Sequence, residues 1–312
     1  MKFNWQKAKY PIVALSPMAD YTDSPFSLIC KKFGADVIYR EMVSADALVH
    51  KSEKTLGMAD FDKRERPIIL QIFGSDPKVM AKAAKILEKK YNPDGIDINM
   101  GCPARKIISN FNGASLIKNP KLAAQIVQAV KKAVKCPVSV KTRTGWEKET
   151  EILKFSRVIE RAGADALAIH GRTKKQGFGN KANWEIIGQV KKQLKIPVLV
   201  NGDIVDAESF KKAMEITKAD GALIARGALG RPWIFKQIET IGSPAPDSKK
   251  LGEMVMEHAK LHIAHYGKKQ GAITFRKHLI YYFKGMKGAK KIRQKAVAVE
   301  TLEDIKKLLS IL

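Results

Sequence analysis

The chain has 312 residues, 45% of them hydrophobic, which is enough for one large domain and a smaller one. Its 57 Lys and Arg against 31 Asp and Glu give a net charge of +26, which favours a polyanionic partner such as nucleic acid, although a merely solvated lysine-rich surface would give the same total. No segment has the apolar length of a membrane span, and residues 1–20 lack the apolar core and cleavage site of a secretory signal, so we expect a cytoplasmic protein without a membrane partner.

Short apolar, β-branched segments alternate with longer amphipathic ones through most of the chain. The apolar segments are 11–19, 35–42, 66–74, 95–102, 137–145, 166–173, 197–204 and 221–229. Among the amphipathic segments, 76–91 and 119–134 place apolar residues three and four apart, with a proline directly after a capping Asp or Asn. Eight strands, each followed by a helix, predict a (β/α)₈ TIM barrel. A doubly wound sheet is disfavoured, because the first strand ends in SPMAD and has no glycine-rich phosphate turn.

The composition changes at residues 241–250, where Pro and Ser interrupt the alternation. Residues 251–312 contain only helix-like patterns. We therefore predict a catalytic barrel over 1–240, a linker over 241–250 and an all-helical domain over 251–312.

Polar residues follow almost every predicted strand. Because the carboxyl ends of barrel strands meet at one mouth, where barrel enzymes hold their active sites, we expect these residues to converge. They are Met18, Glu41, Gln71, Asn99 with Cys102, Lys141 with Arg143, His170 with Arg172, Asn201 with Asp203, and Arg226. Other interpretations remain open for three members: His170 as a core histidine, Glu41 paired with Arg143, and Asn99 as a support for its own turn.

The last two strand ends predict a phosphate site. Loops after strands seven and eight of a barrel, leading to a short helix, form a common phosphate cup, and here they carry Gly202, Arg226 and Gly227. The alternative is that both glycines only shape turns. The Gln71 amide can both donate to and accept from the amide-like edge of a flat ring, and Lys141 can stabilise negative charge on that ring when it is reduced. Both features fit flavin mononucleotide (FMN) better than a sugar phosphate.

Cysteines and the C-terminal charges complete the pattern. Cys30, Cys102 and Cys136 form no CxxC pair and have no companion histidine at metal spacing, so we predict no disulfide framework and no metal site.

Residues 276–295 carry eight basic residues and no acidic one, interleaved with Tyr281, Tyr282 and Phe283. This composition is typical of an RNA-binding surface, and equally of an amphipathic helix with buried aromatics.

Seven motifs occur together in the order found in tRNA-dihydrouridine synthases, and the sequence resembles that family over almost its whole length. They are SPMADYTDSPF, LQIFGSDP, DINMGCPARK, VKTRTGW, IHGRTKKQ, VNGDI and ARGALGRPWIF. The segment FRKHLIYYFKGMKGAKKIR is similar to the tRNA-binding helical domain of the bacterial B-type subgroup.

The resemblance implies an enzyme that reduces the C5–C6 bond of particular tRNA uridines, with FMN as cofactor and NADPH or NADH as hydride source. By similarity, flavin N5 would deliver hydride to C6, and Cys102 would protonate C5 as general acid, since an ordinary thiol is protonated at neutral pH. The uracil would have to be flipped out of its stack. FMN would be held by Pro17, Met18, Ala19, Gln71, Lys141, His170, Asn201, Gly202, Asp203, Ala225 and Arg226. Substrate and tRNA would contact Asn99, Arg143, Arg276, Lys277, Lys287, Lys290, Lys291 and Arg293.

The sequence departs from the family pattern at Phe178, Asn183 and Ala225, where Tyr, Asp and Gly are usual. Two other hypotheses stay open. A small-molecule flavin oxidoreductase of the dihydroorotate or dihydropyrimidine dehydrogenase type would share barrel and cofactor, but it would need no basic helical domain. An RNA-binding folding helper without catalysis would not need Cys102 and Lys141. Nothing in the sequence indicates an obligate protein partner, and a monomer would suffice.

Overall fold

The computed structural model describes residues 3–285 and 289–310, apart from the side chains of residues 289 and 290. Its strands are all parallel and lie where the eight apolar segments predicted them, with one short extra strand. They are β1 (Ile12–Leu15), β2 (Val37–Tyr39), β3 (Val43–Ser44), β4 (Ile68–Phe73), β5 (Gly95–Met100), β6 (Val138–Arg143), β7 (Ala166–His170), β8 (Val198–Asn201) and β9 (Gly221–Ile224).

The sheet closes on itself. Strands β1, β2 and β4 to β9 pair in a ring, with Leu15 opposite Ile224 where β1 meets β9 and Ile38 opposite Ile68 where β2 meets β4. Strand β3 adds a short pairing to β4 outside the ring. The predicted TIM barrel is therefore confirmed.

Helices follow the strands and surround the ring. Those up to the end of the barrel are α1 (Ser24–Lys32), α2 (Ala45–Val49), α3 (Glu53–Met58), α4 (Pro77–Tyr91), α5 (Arg105–Ile108), α6 (Pro120–Ala133), α7 (Glu151–Arg161), α8 (Trp184–Gln193), α9 (Ala207–Thr217) and α10 (Ile234–Glu239). The predicted helices at 76–91 and 119–134 are confirmed as α4 and α6, with Asp76 and Asn119 accepting backbone N–H bonds as caps.

Two apolar layers hold the barrel together. Inside the ring, Ala14, Tyr39, Ile69 and Leu223 are buried against one another. Between ring and helices lies the larger core. Because the interior is filled by side chains, a ligand can enter only at the ends of the strands.

The C-terminal helices are α11 (Ser248–Tyr266), α12 (Lys268–Tyr282), α13 (Ala289–Ala296) and α14 (Leu302–Leu309). Helix α11 begins inside the predicted linker, after its cap Asp247. A separate apolar cluster joins these helices to the barrel through Ile29 and Trp233. The predicted division into domains stays a prediction. Within the described residues, no helix is long and apolar enough to cross a membrane.

Candidate active site

The carboxyl ends of the barrel strands surround one cavity of about 1130 Å³. Fourteen of the predicted site residues line it, and they come from the ends of seven strands. They are Pro17, Met18, Ala19, Gln71, Asn99, Cys102, Lys141, Arg143, His170, Asn201, Gly202, Asp203, Ala225 and Arg226. The convergence expected from a barrel mouth is therefore observed, except that Glu41 and Arg172 do not line the cavity.

A chain of buried side-chain hydrogen bonds leads to the turn that carries Cys102. Asp97 accepts from Ser139 Oγ at 2.6 Å and from Gln71 Nε2 at 2.7 Å. Gln71 Oε1 accepts from Asn99 Nδ2 at 2.9 Å, and Asn99 Oδ1 accepts from the Cys102 backbone N–H at 2.9 Å. This network fixes the amide of Gln71 and holds the half-buried cysteine at the cavity wall.

Asp97 is fully buried, and this burial raises the pKa of its carboxyl from 3.8 to about 6, against the hydrogen bonds from Ser139 and Gln71, which lower it. The interpretation of Asn99 as a support for its own turn is also confirmed, because its Oδ1 additionally accepts from the Gly101 N–H at 3.2 Å. Asn99 lines the cavity as well.

Lys141 places its ammonium inside the cavity wall. Its Nζ donates to Asn201 Oδ1 at 3.0 Å, and Asn201 in turn donates to the Leu223 carbonyl at 2.7 Å. Burial, with the neighbouring charge of Arg143, lowers the pKa of Lys141 to about 8. A bound anionic group would stabilise the charged form further, so the site favours a ligand that carries or develops negative charge.

Arg143 braces the cavity rather than offering a free charge. Its guanidinium donates to the backbone carbonyls of Gly101 (2.8 Å), Thr173 (3.0 Å) and Gly177 (2.8 Å). Burial lowers the pKa of Arg143 to about 10. Its suggested pairing with Glu41 is absent among the contacts of the described residues, since Glu41 accepts from the Asp20 N–H at 2.9 Å instead.

His170 is neutral and its tautomer is fixed. Arg172 Nη1 lies 3.1 Å from His170 Nε2, and because a guanidinium only donates, Nε2 must accept and the proton must sit on Nδ1. Burial, together with the surrounding cations, lowers the pKa of His170 well below its ordinary value. The same Arg172 donates to both oxygens of Asp203 at 2.7 Å. Asp203 therefore helps to fix the position of Arg172, which in turn donates to His170.

The loops after β8 and β9, predicted to form a phosphate cup, line the cavity with Gly202, Arg226 and Gly227. Gly202 has a φ of +109°, and a Cβ there would lie 2.8 Å from the His170 ring, so only glycine fits. Arg226 is 54% exposed and its guanidinium lies 5.1 Å from the centre of the Phe178 ring. Phe178, itself 60% exposed, forms the outer edge of the cavity beside this cation.

The basic residues predicted to contact tRNA divide into three groups. Arg276 and Lys277 have partners within the chain: Arg276 Nε donates to the Val299 carbonyl at 2.6 Å, and Lys277 Nζ donates to the Asp20 carbonyl. On α13, Lys291 is exposed and Arg293 half-buried. Lys287 lies outside the described residues, as does the side chain of Lys290. Tyr282 and Phe283 are buried, as the alternative of an amphipathic helix predicted, whereas Tyr281 is half-buried and lines the cavity.

A model of the family described as dihydrouridine synthase matches residues 13–311. The chain belongs to the dihydrouridine synthase family. It is similar to "tRNA-dihydrouridine synthase B" of Pseudomonas putida, with 39% identity over 293 residues, 92% of this chain and 86% of the relative. It is also similar to "Probable tRNA-dihydrouridine synthase" of Rickettsia bellii, with 35% identity over 288 residues, 90% of this chain and 88% of the relative.

Two solved structures show the same fold at low identity. A 2-naphthoyl-CoA reductase complex superposes with a TM-score of 0.60 and 12% identity, covering 76% of this chain and 51% of that one. Histamine dehydrogenase from Rhizobium sp. 4-9 has a TM-score of 0.57 and 13% identity, covering 80% and 49%. At such low identity the likeness shows the fold alone.

Two of the three departures from the family pattern leave the local structure intact. Asn183 caps α8, with its Oδ1 accepting from the Ile186 N–H at 3.0 Å. Ala225 has no positive φ, so a Cβ is tolerated there. Phe178 is the departure that changes the surface of this synthase, because an apolar ring without a hydroxyl lies at the entrance of its cavity.

Sequence reasoning left Asp97 and Ser139 out of the site. The signal for Asp97 was present, because a carboxylate in the middle of an apolar strand must find partners when it is buried. Ser139 had no comparable signal. Its role appears only when register places it opposite Asp97 on the neighbouring strand.

Proposed function

We propose that this protein is an FMN-dependent tRNA-dihydrouridine synthase that reduces the C5–C6 bond of uridine, with NADPH or NADH as reductant. The observation that carries the proposal is the single cavity at the barrel mouth. It gathers all eleven residues expected to hold FMN together with Cys102. Its volume of about 1130 Å³ is slightly above the usual range of ligand pockets, so a cofactor and a base have room together.

The chemistry of the lining residues fits a flavin. Gln71 presents an amide whose orientation is fixed by Asp97 and Asn99, which suits the alternating donors and acceptors of a pyrimidine-like ring edge. Lys141 supplies a cation next to that edge, and Arg226 with the Gly202 turn suits a phosphate. When bound, the reduced isoalloxazine would supply hydride to C6 of the uracil.

Cys102 completes the reaction in this proposal. Hydride addition at C6 leaves negative charge on C5 and the C4 oxygen, and a proton from the thiol Sγ then forms the C5–H bond. Water returns the proton to the thiolate. The turn that carries Cys102 is held on two sides, by Asn99 through the Cys102 N–H and by Arg143 through the Gly101 carbonyl. Such bracing keeps the thiol in position without a neighbouring base to activate it.

The tRNA substrate is supported by charge and by the activity after which the relatives are named. A net charge of +26 suits a polyphosphate, and exposed Lys291 offers a phosphate contact on α13. A uridine inside a tRNA reaches a cavity of this depth only when its base is turned out of the stack. A free pyrimidine would need none of these basic residues.

The test is a comparison of tRNA from cells that contain and lack the gene, combined with the purified protein. We expect the protein to bind FMN, and we expect defined uridines to stay unreduced in the deletion strain and to be reduced by the protein with NADPH in vitro. A protein that binds no FMN, or one that reduces free uracil or orotate derivatives but no tRNA, would overturn the proposal.

A further inference from the structure

A second cluster of functional side chains lies between the barrel and the C-terminal helices, away from the cavity. It consists of Asp23 at the start of α1, His258 and His262 one turn apart on α11, and His278 on α12. One ligand atom from each lies within 4.8 Å of those from the other three. All four residues are buried, none more than 3% exposed.

The histidines present unpaired nitrogens to one another. Nε2 of His258, Nδ1 of His262 and Nε2 of His278 are buried and make no hydrogen bond. A buried polar atom left without a partner costs on the order of 1–3 kcal/mol, so three together in one place call for an explanation. Asp23 Oδ2 lies 3.4 Å from His262 Nδ1 and accepts from the Tyr266 hydroxyl at 3.2 Å. Burial raises the pKa of this carboxyl, and a cation at the centre of the cluster would favour its ionised form.

The opposite ring nitrogens of His258 and His262 are hydrogen-bonded, as they are in metal sites. His258 Nδ1 lies 2.9 Å from the Tyr282 hydroxyl, and His262 Nε2 lies 2.9 Å from Thr274 Oγ1. Outer partners of this kind fix the ring orientation of metal-bound histidines. Burial lowers the pKa of all three imidazoles, so they are in the neutral form that binds metal ions.

We propose that Asp23, His258, His262 and His278 bind a structural Zn²⁺ ion. Three imidazoles and one carboxylate make a closed four-ligand set of borderline-soft and hard donors, which suits tetrahedral zinc. Bonds of about 2.0–2.1 Å require about 3.3 Å between ligand atoms, so small side-chain rotations would close the site.

The ion would join parts of the chain that are far apart in sequence. Asp23 follows the loop of Pro17, Met18 and Ala19, which lines the active-site cavity, and the histidines belong to the helical domain. Zinc would therefore fix the helical domain against the wall of the active site. The prediction of no metal site considered only histidines near cysteines, and the i, i+4 spacing of His258 and His262 was the overlooked signal.

The test is the zinc content of the full-length protein, produced with zinc in the medium and dialysed before elemental analysis. We expect about one zinc per chain, and at least tenfold less in His262→Ala and in His278→Ala. His265→Ala is the matched control, because His265 is exposed on the same helix, and it should retain the ion. X-ray absorption at the zinc edge should show only nitrogen and oxygen ligands.

A second measurement covers variants that fail to fold. Removing zinc from the wild-type protein with a chelator should lower its melting temperature, and Zn²⁺, but not Mg²⁺, should restore it. Wild-type protein with less than about 0.1 zinc per chain, zinc retained in both histidine variants, or sulfur ligands at the zinc edge would each overturn the proposal. Thermal stability that is indifferent to zinc would do so as well.

Discussion

Replacing Asp97 by Asn should stabilise the barrel at neutral pH. The wild-type carboxylate is buried, and its pKa is raised from 3.8 to about 6. A difference of this size corresponds to about 3 kcal/mol between the folded and unfolded chain. An Asn can keep both hydrogen bonds, with its oxygen accepting from Gln71 Nε2 and its amide donating to Ser139 Oγ.

The sign of the pH dependence follows from the raised pKa. Because folded Asp97 holds its proton more tightly than the unfolded chain does, wild-type stability falls as pH rises from 3.8 to about 6 and stays at its lower level above pH 6. The advantage of Asp97→Asn should therefore be largest near pH 8, up to about 3 kcal/mol, and should vanish near pH 4. For a chain of this length that is roughly 5 °C in melting temperature.

The assay is thermal unfolding of both proteins from pH 4.5 to 8, with Asp46→Asn as control. Asp46 is exposed on α2, and its variant removes the same charge outside the core, so its effect should stay within about 0.5 kcal/mol at every pH. If Asp97→Asn is destabilised by the same amount at both ends of the range, the carboxylate is needed as an acceptor, and the account of a strained buried charge is wrong.

Four further changes test the cavity and the C-terminal helices. Gly202→Ala should lower FMN affinity at least tenfold in a flavin titration, because the new Cβ lies 2.8 Å from the His170 imidazole. The control Gly57→Ala, which has open space around it, should leave FMN affinity unchanged. Equal FMN affinities of the two variants would contradict the proposal that the Gly202 turn holds the FMN phosphate. Lys141→Met should lower the activity more than it lowers FMN binding, measured as kcat against flavin Kd, since it removes a cation that stabilises developing charge; an unchanged kcat would refute that role. Arg276→Ala should cost about 1–3 kcal/mol in a denaturant titration, because it leaves a backbone carbonyl without its donor. Lys291→Gln should not change the free energy of unfolding, but it should make the salt dependence of tRNA binding shallower by about one unit of slope. If Arg276→Ala weakened tRNA binding without loss of stability, and Lys291→Gln destabilised the fold, the structural role would belong to Lys291 and the tRNA contact to Arg276.

The fold could be predicted because each barrel strand is buried on both faces and reads as an apolar run. Most of the cavity could be predicted for a related reason, since Gln71, Lys141 and Asn201 are polar at the ends of such runs. Because all barrel strands run in the same direction, the residues at their carboxyl ends lie together at one end of the barrel.

Hydrogen bonds between residues that are far apart in sequence could not be predicted. The bond from Arg172 to Asp203 and the bond from Arg276 to Val299 depend on how loops and helices meet, and composition presented Arg276 only as a basic residue in a basic segment. The cluster of Asp23 with three histidines has the same origin, because its members come from both ends of the chain.

The most direct test of the proposed reaction is the rate of uridine reduction in Cys102→Ala, measured in a single turnover with prereduced, FMN-loaded enzyme and unmodified tRNA. Cys136→Ala, which changes a buried cysteine outside the cavity, is the control. We expect FMN binding to be retained and dihydrouridine formation to fall by roughly 10²–10⁴, the usual contribution of a general acid, while the control keeps the wild-type rate. Reduction by Cys102→Ala at the wild-type rate would contradict the assignment of the proton donor.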